Sequence, residues 1–138
     1  MAQLDFAVEH DYSAGPDDHE VTVQVRLFPI AGIPLVVTAL VDTGASISMF
    51  DKSLMPLLGI VDVATGQKFE ITAANNQVAD AFAHDIEIEF LGRRLMVPLG
   101  FCPAWPDGTP NLLGMKGFCE QLHIALKHQE RLLYVAFP

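Results

Sequence analysis

The residues best suited to chemistry lie together at Val41-Asp42-Thr43-Gly44-Ala45-Ser46. Asp42 ends an apolar run, Leu35 to Val41, so a carboxylate is presented where a core strand leaves the interior. A carboxylate there is costly unless it is paired, hydrogen-bonded or protonated. Gly44 follows at once and supplies a tight turn with close backbone approach. A carboxylate held at such a turn can act as a general acid or base. An ordinary Asp-Thr-Gly turn uses the same three residues. The context separates the two readings, since Ile47-Ser48-Met49-Phe50 resumes a strand-like pattern directly afterwards.

Other constellations fit their chemistries poorly. His10, His19, His84, His123 and His128 are scattered, and the five-residue step from His123 to His128 does not match a two-ligand helix motif, so no metal is expected. Asp17, Asp18 and Glu20 lack the spacing of a calcium loop. Ser46 and Ser48 have no nucleophile-elbow glycines and no neighbouring histidine. Cys102 and Cys119 match neither a zinc nor a redox pair; two reduced, partly buried thiols are expected, with a bridge between them as the alternative. Glycine-rich phosphate loops and βαβ alternation are absent, which argues against a nucleotide-binding α/β fold.

The chain has 138 residues, of which 51% are hydrophobic and 18% charged, and its mean hydropathy is positive at +0.32. These values fit one compact domain over residues 1–138, with residues 1–20 as an amino-terminal strand and acidic loop and 21–138 as the core. With 17 acidic against 8 basic residues the net charge is −9, so nucleic acid and anionic membrane surfaces are poor partners. No apolar run nears the ~20 residues a spanning helix needs. The amino terminus has no basic segment followed by an apolar one, so a cytoplasmic protein is expected.

The elements that must position Asp42 are mostly strands. Leu4, Phe6 and Val8 alternate with polar or small residues, and Glu9 to Glu20 reads as a loop. Val21 to Leu27 alternates with period two and pairs across the Pro29–Pro34 turn with Leu35 to Val41, read as a more fully buried strand. Asp51 to Leu58 predicts a short helical turn ended by Gly59. Phe69 to Ala73 and Val78 to Phe82 flank the tip Ala74-Asn75-Asn76-Gln77, a hairpin. Asp85 to Phe90 turns at Leu91-Gly92 into Arg94 to Leu99, and Cys102 to Pro110, with three prolines and Trp105, is a loop. Met115, Phe118, Cys119 and Leu122 predict one helix, and His123 to Lys127 with Leu132 to Phe137 closes the chain as a hairpin. The sum is an all-β closed barrel or sandwich with one short C-terminal helix.

With these elements placed, the chain resembles the retropepsin-like aspartic proteases. The resemblance rests on Asp42-Thr43-Gly44-Ala45-Ser46 after an apolar strand, and on Thr109-Pro110-Asn111-Leu112-Leu113-Gly114 about 70 residues later, leading into the helix. It covers most of the chain from Val21 onward, with the element order hairpin, flap-like hairpin, apolar-apolar-Gly segment, helix and terminal strand. Two departures stand out. Met115 and Lys116 occupy positions where family members often carry Arg, an acid or an amide, and Ser46 and Ile47 replace the acidic residue that pairs with that Arg in viral relatives. The tip Ala73 to Gln77 has no glycine.

The resemblance implies an aspartic endopeptidase that needs no cofactor and acts on extended, apolar polypeptide segments. Two carboxyls must share one proton in that chemistry, and the chain has one Asp-Thr-Gly, so a homodimer with Asp42 from each protomer is implied. Asp42, Thr43 and Gly44 would form the catalytic turn. Ala45, Ser46, Thr72, Ala73, Ala74, Asn75, Asn76 and Leu112 would bind substrate, and Ala104, Trp105 and Pro110 are candidate pocket walls. Leu4 to Val8 and Leu132 to Phe137 would interleave with the partner's copies, the alternative being pairing within one protomer. The rival function is a catalytically silent dimerisation or peptide-binding module on the same fold.

Overall fold

The computed structural model describes residues 5–17, 19–72 and 75–138. Among the described residues ten strands form two sheets. β1 (Val8–Asp11), β10 (Leu132–Ala136) and β9 (His123–Lys127) make a three-stranded antiparallel sheet in the order β1-β10-β9. The larger sheet runs β2 (Thr22–Phe28), β3 (Leu35–Val41), β8 (Leu112–Leu113), β4 (Ser48–Met49), β7 (Arg93–Phe101), β6 (Val78–Phe90) and β5 (Gln67–Thr72). An additional β2–β6 pairing, with Val25 opposite Phe90 and Leu27 opposite Ile88, closes the first six of these strands into a barrel. β5 is left outside the closure, hydrogen-bonded only to the first half of β6.

Alternation explains the closure. Val23, Val25 and Leu27 point inward from β2, while Gln24 and Arg26 face water. Ile86, Ile88 and Phe90 do the same on β6, and Leu95, Val97, Leu99 and Phe101 on β7. Closing the sheet buries one face of every strand and removes the edges that an open sheet would leave unpaired. Phe118 fills the barrel's end, edge-on to Phe90 with ring centroids 4.9 Å apart. The β6–β7 connection is Leu91-Gly92, both with positive φ (47° and 83°), as a tight hairpin turn matched to strand twist requires.

Several expectations need correction. β3 is not fully buried: Ala39 is 1% exposed but Val36 is 56% exposed, because only one face of β3 looks into the barrel. The first strand lies later than expected, at Val8–Asp11, where Val8 pairs with Val135 and His10 with Leu133, so Glu9 to Asp11 are strand rather than loop. Leu4 lies outside the described residues. The expected helix from Met115 to Leu122 contracts to a single 3-10 turn, Cys119–Gln121. Met115 and Lys116 are used instead as a strand-like dock, bridging Ile47, and Gly117 at φ 76° turns the chain out of any helical path. The apolar spacing still does its work within that turn, since Phe118, Cys119 and Leu122 are buried while Met115 is 43% exposed. Asp51 to Leu58 forms two successive 3-10 turns, and Gly59 ends the second at φ 78°. Among the described residues no helix is long and apolar enough to cross a membrane.

The burial pattern makes a test. Phe118→Ala, which empties the barrel's end, should lower unfolding free energy by about 3–5 kcal/mol, read from urea midpoints. Val61→Ala, at a fully exposed site, should stay within about 0.5 kcal/mol of the parent. Equal effects of the two would contradict the core assignment.

Candidate active site

Asp42 leaves the end of β3, where β3 runs parallel to β8 with Val41 opposite Leu113. The Asp42 N–H donates to the Leu113 carbonyl at 2.9 Å. The Ala45 N–H then reaches back to the Asp42 carbonyl at 3.2 Å, which closes a four-residue turn. Within it the Gly44 N–H donates to Asp42 Oδ1 at 2.9 Å. The carboxylate is half-buried and locked in direction, while Thr43 and Gly44 are exposed beside it.

The turn is held from below by the segment after β8. The Met115 N–H donates to the Ala45 carbonyl (2.9 Å) and the Lys116 N–H to the Ser46 carbonyl (3.0 Å). The Gly114 N–H donates to Ser48 Oγ at 3.0 Å, and Ser48 is completely buried. Only glycine fits at 114: a Cβ there would lie 2.7 Å from the Ala45 and Ile47 carbonyl oxygens. The Leu-Leu-Gly segment is therefore the seat of the Asp turn. Every one of these contacts on the 45–46 and 115–116 segments is a backbone contact, so this seat needs no ion pair.

A groove of about 450 Å³ opens beside the turn. Gly44, Ala45, Ser46 and Leu112 line one part of it and Phe69, Glu70, Ile71 and Thr72 of β5 another, while Asp42 and Thr43 are not among its lining residues. Ile47, Met49 and Trp105 complete the walls. A second cavity of about 430 Å³ continues past Ser46, Ile47 and Phe69 toward Gln67, Ala83, Asp85, Pro98 and Lys116. Of the expected binding residues, Ala45, Ser46, Thr72 and Leu112 meet here, with Trp105. Asn75 and Asn76 sit at the β5–β6 tip and do not line either cavity; Asn76 takes positive φ (62°), and Asn75 Oδ1 accepts the Gln77 N–H. Ala73 and Ala74 lie outside the described residues. Ala104 and Pro110 are exposed and line neither cavity. Ile47, Met49, Phe69 and Ile71 are additions; the period-two pattern of Phe69 and Ile71 on β5 is the signal that could have found them.

The loop carrying Trp105 is fastened to the residues just after β4. Asp51 caps the 3-10 turn Lys52–Leu54 by accepting the Ser53 N–H, and its second oxygen accepts the Ser53 hydroxyl and the Gly108 N–H. Burial pushes the Asp51 carboxyl up, but the Ser53 and Gly108 hydrogen bonds and the neighbouring Lys52 charge outweigh it and leave the group below its ordinary value. A lowered value means that its stabilisation is complete above the usual carboxylate range and is lost only as pH falls through the lowered value. The fastening thus stays ionised in mildly acidic solution.

Cys102 and Cys119 are both free and buried. Burial, then the negative charge of Asp42, raises the Cys119 thiol above its ordinary value. Among the described residues no group of three or more His, Cys, Asp or Glu side chains is placed to hold a metal ion.

No known protein family description matches this chain. No curated protein matches it either. Its structure is similar to the crystal structure of a retropepsin-like aspartic protease from Rickettsia conorii, with a TM-score of 0.60 and 16% sequence identity over 98% of this chain and 96% of that one. At that identity the likeness speaks to architecture, and it establishes that the closed barrel with its overhanging hairpin is a retropepsin-like fold.

Proposed function

We propose that the protein is an aspartic endopeptidase that works as a homodimer on extended, apolar polypeptide segments. The observation that carries this reading is the half-buried Asp42 carboxylate, fixed by the Gly44 N–H on a turn whose next residues, Gly44, Ala45 and Ser46, line a groove together with β5. The chemistry needs a pair of carboxyls sharing one proton, one acting as base on a water and the other as acid toward the scissile carbonyl. The chain carries one Asp-Thr-Gly, so the second carboxyl comes from a second copy, on a two-fold axis. Thr43, exposed next to Asp42, then hydrogen-bonds across to the partner's turn and keeps the two carboxyls coplanar. Ala45, Ser46, Thr72 and Leu112, which line the groove, meet the peptide. The peptide lies extended, with main-chain hydrogen bonds and alternate side chains in the cavities.

The terminal strands pair with each other within this chain, the alternative to interleaving with a partner. β10 already has β1 on one side and β9 on the other. A partner's strand therefore joins this sheet at β1 or β9, not at β10.

A silent peptide-binding module is the competing reading, favoured by a seat for the turn that lacks ionic reinforcement. Cleavage decides between them. The wild-type protein should cut an apolar peptide, and Asp42→Asn should slow cleavage by on the order of 10²–10⁴-fold while leaving peptide binding in place. Binding by both proteins with cleavage by neither would establish the module.

The pH dependence follows from the shared proton. Two protomers at −9 each carry 2 × (−9) = −18 near neutrality, and acidification both lowers that repulsion and supplies the proton. The rate should peak below neutral pH, and a flat profile between about pH 4 and 8 would count against the mechanism. Ser48→Ala should cost about 1–3 kcal/mol of stability by leaving the buried Gly114 N–H unpaired, measured by thermal or urea unfolding.

A further inference from the structure

The loop between β7 and β8 is long, holds Pro103, Pro106 and Pro110, and carries the chain's single tryptophan, Trp105. Trp105 is half-buried, with its backbone N–H donating to the Cys102 carbonyl at 3.1 Å and its side chain packed on the small cluster of Met49, Ala81 and Cys102. Its exposed part faces the groove.

This loop does not hold itself in place. Lys52 Nζ donates to the Pro103 carbonyl at 3.0 Å, two residues before Trp105, and lies 3.9 Å from Asp107 Oδ1, two residues after it. Asp51 Oδ2 accepts the Gly108 N–H at 3.1 Å. The Asp51 N–H donates to Asn111 Oδ1 at 2.9 Å, and Asn111 Nδ2 donates to the Thr38 carbonyl at 3.0 Å, which ties the same clasp to β3 four residues before Asp42. Two adjacent residues thus grip the loop on both sides of the tryptophan.

We propose that Asp51 and Lys52 are positioning residues that fix Trp105 as a wall of the groove and so set the size of the apolar side chain it accepts. The proposal rests on the peptide-cleaving reading of the groove. Asp51 uses both oxygens, one for the Ser53 N–H and the other for the Ser53 hydroxyl and the Gly108 N–H. Asparagine has one acceptor oxygen and cannot serve both sides. Lys52→Met keeps the apolar stem and removes the tie to Pro103 and Asp107.

The test uses the full chain, with Trp105 as its own reporter. Acrylamide quenching of tryptophan fluorescence should rise in Asp51→Asn and in Lys52→Met, with unfolding midpoints showing that both variants are folded. Peptides differing only in Leu, Phe or Trp at one position should show KM for the best substrate raised about ten-fold, with kcat within about two-fold, and a narrowed preference among the three. Quenching and side-chain preference both unchanged in the two variants would overturn the proposal. If the wild-type protein cleaves no peptide, the endopeptidase reading fails separately. The clasp is then decided by quenching and by the change in Trp105 emission as peptide is titrated into Asp42→Asn, with and without Lys52→Met. Should Asp51→Asn fail to fold, Lys52→Met alone carries the decision.

Discussion

The site depends on one constraint: the turn carrying Asp42 is not self-supporting and must be seated on the 113–116 segment. The Asp42, Met115 and Lys116 N–H groups spend their hydrogen bonds across this junction, to Leu113, Ala45 and Ser46 respectively. A short turn beginning with an ionisable group would otherwise sample many directions, and a carboxylate with no fixed direction makes a poor acid or base. The seat requires a residue without Cβ at 114 and a buried acceptor for its N–H, which Ser48 supplies. Ser48 is buried and polar, and it is tolerated because its oxygen is used.

The barrel makes the seat rigid. β3 and β8 run parallel, β4 and β8 antiparallel, and β4 and β7 parallel again. These short pairings would be marginal alone. They are held because β2, β6 and β7 are long, alternate cleanly and close around a common core. β5 is the exception. It pairs with β6 but lies outside the closed circuit, so the hairpin projects over the groove while its base stays anchored, partly by His84 Nε2 donating to the Val63 carbonyl at 2.9 Å. The hairpin thus lines the groove through β5 without taking part in the carboxylate's seat.

Some of this was legible in the sequence because the determining chemistry is local. An apolar strand ending in Asp-Thr-Gly, a Leu-Leu-Gly segment, alternating strands and the Leu91-Gly92 turn each announce themselves within a few residues. The groove's walls did so only in part, because the alternation that puts Phe69 and Ile71 on one face of β5 does not say whether that face meets a core or a groove. The helix at 115–122 was misread for a related reason: Phe118, Cys119 and Leu122 have helical spacing, but one wide turn satisfies it once Met115 and Lys116 are committed to the Asp turn. The clasp was invisible, since Asp51 meets Asn111 across 60 residues, and an Asp-Lys pair before a serine reads locally as nothing more than a cap.

The electrostatic setting of Asp42 follows from the same packing. Cys119 is carried toward the turn by the wide loop that replaces the expected helix, and it is an ionisable group close enough to feel the carboxylate's charge. Burial and that charge act in the same direction and hold the thiol in its neutral form. A thiolate there would add a negative charge beside a carboxylate that, in the proposed dimer, must already face its own copy. A neutral thiol adds none, and it packs as a small apolar group in the main core. In the proposed dimer the charge at the two-fold axis would then be set by the two Asp42 carboxyls and the single proton they share.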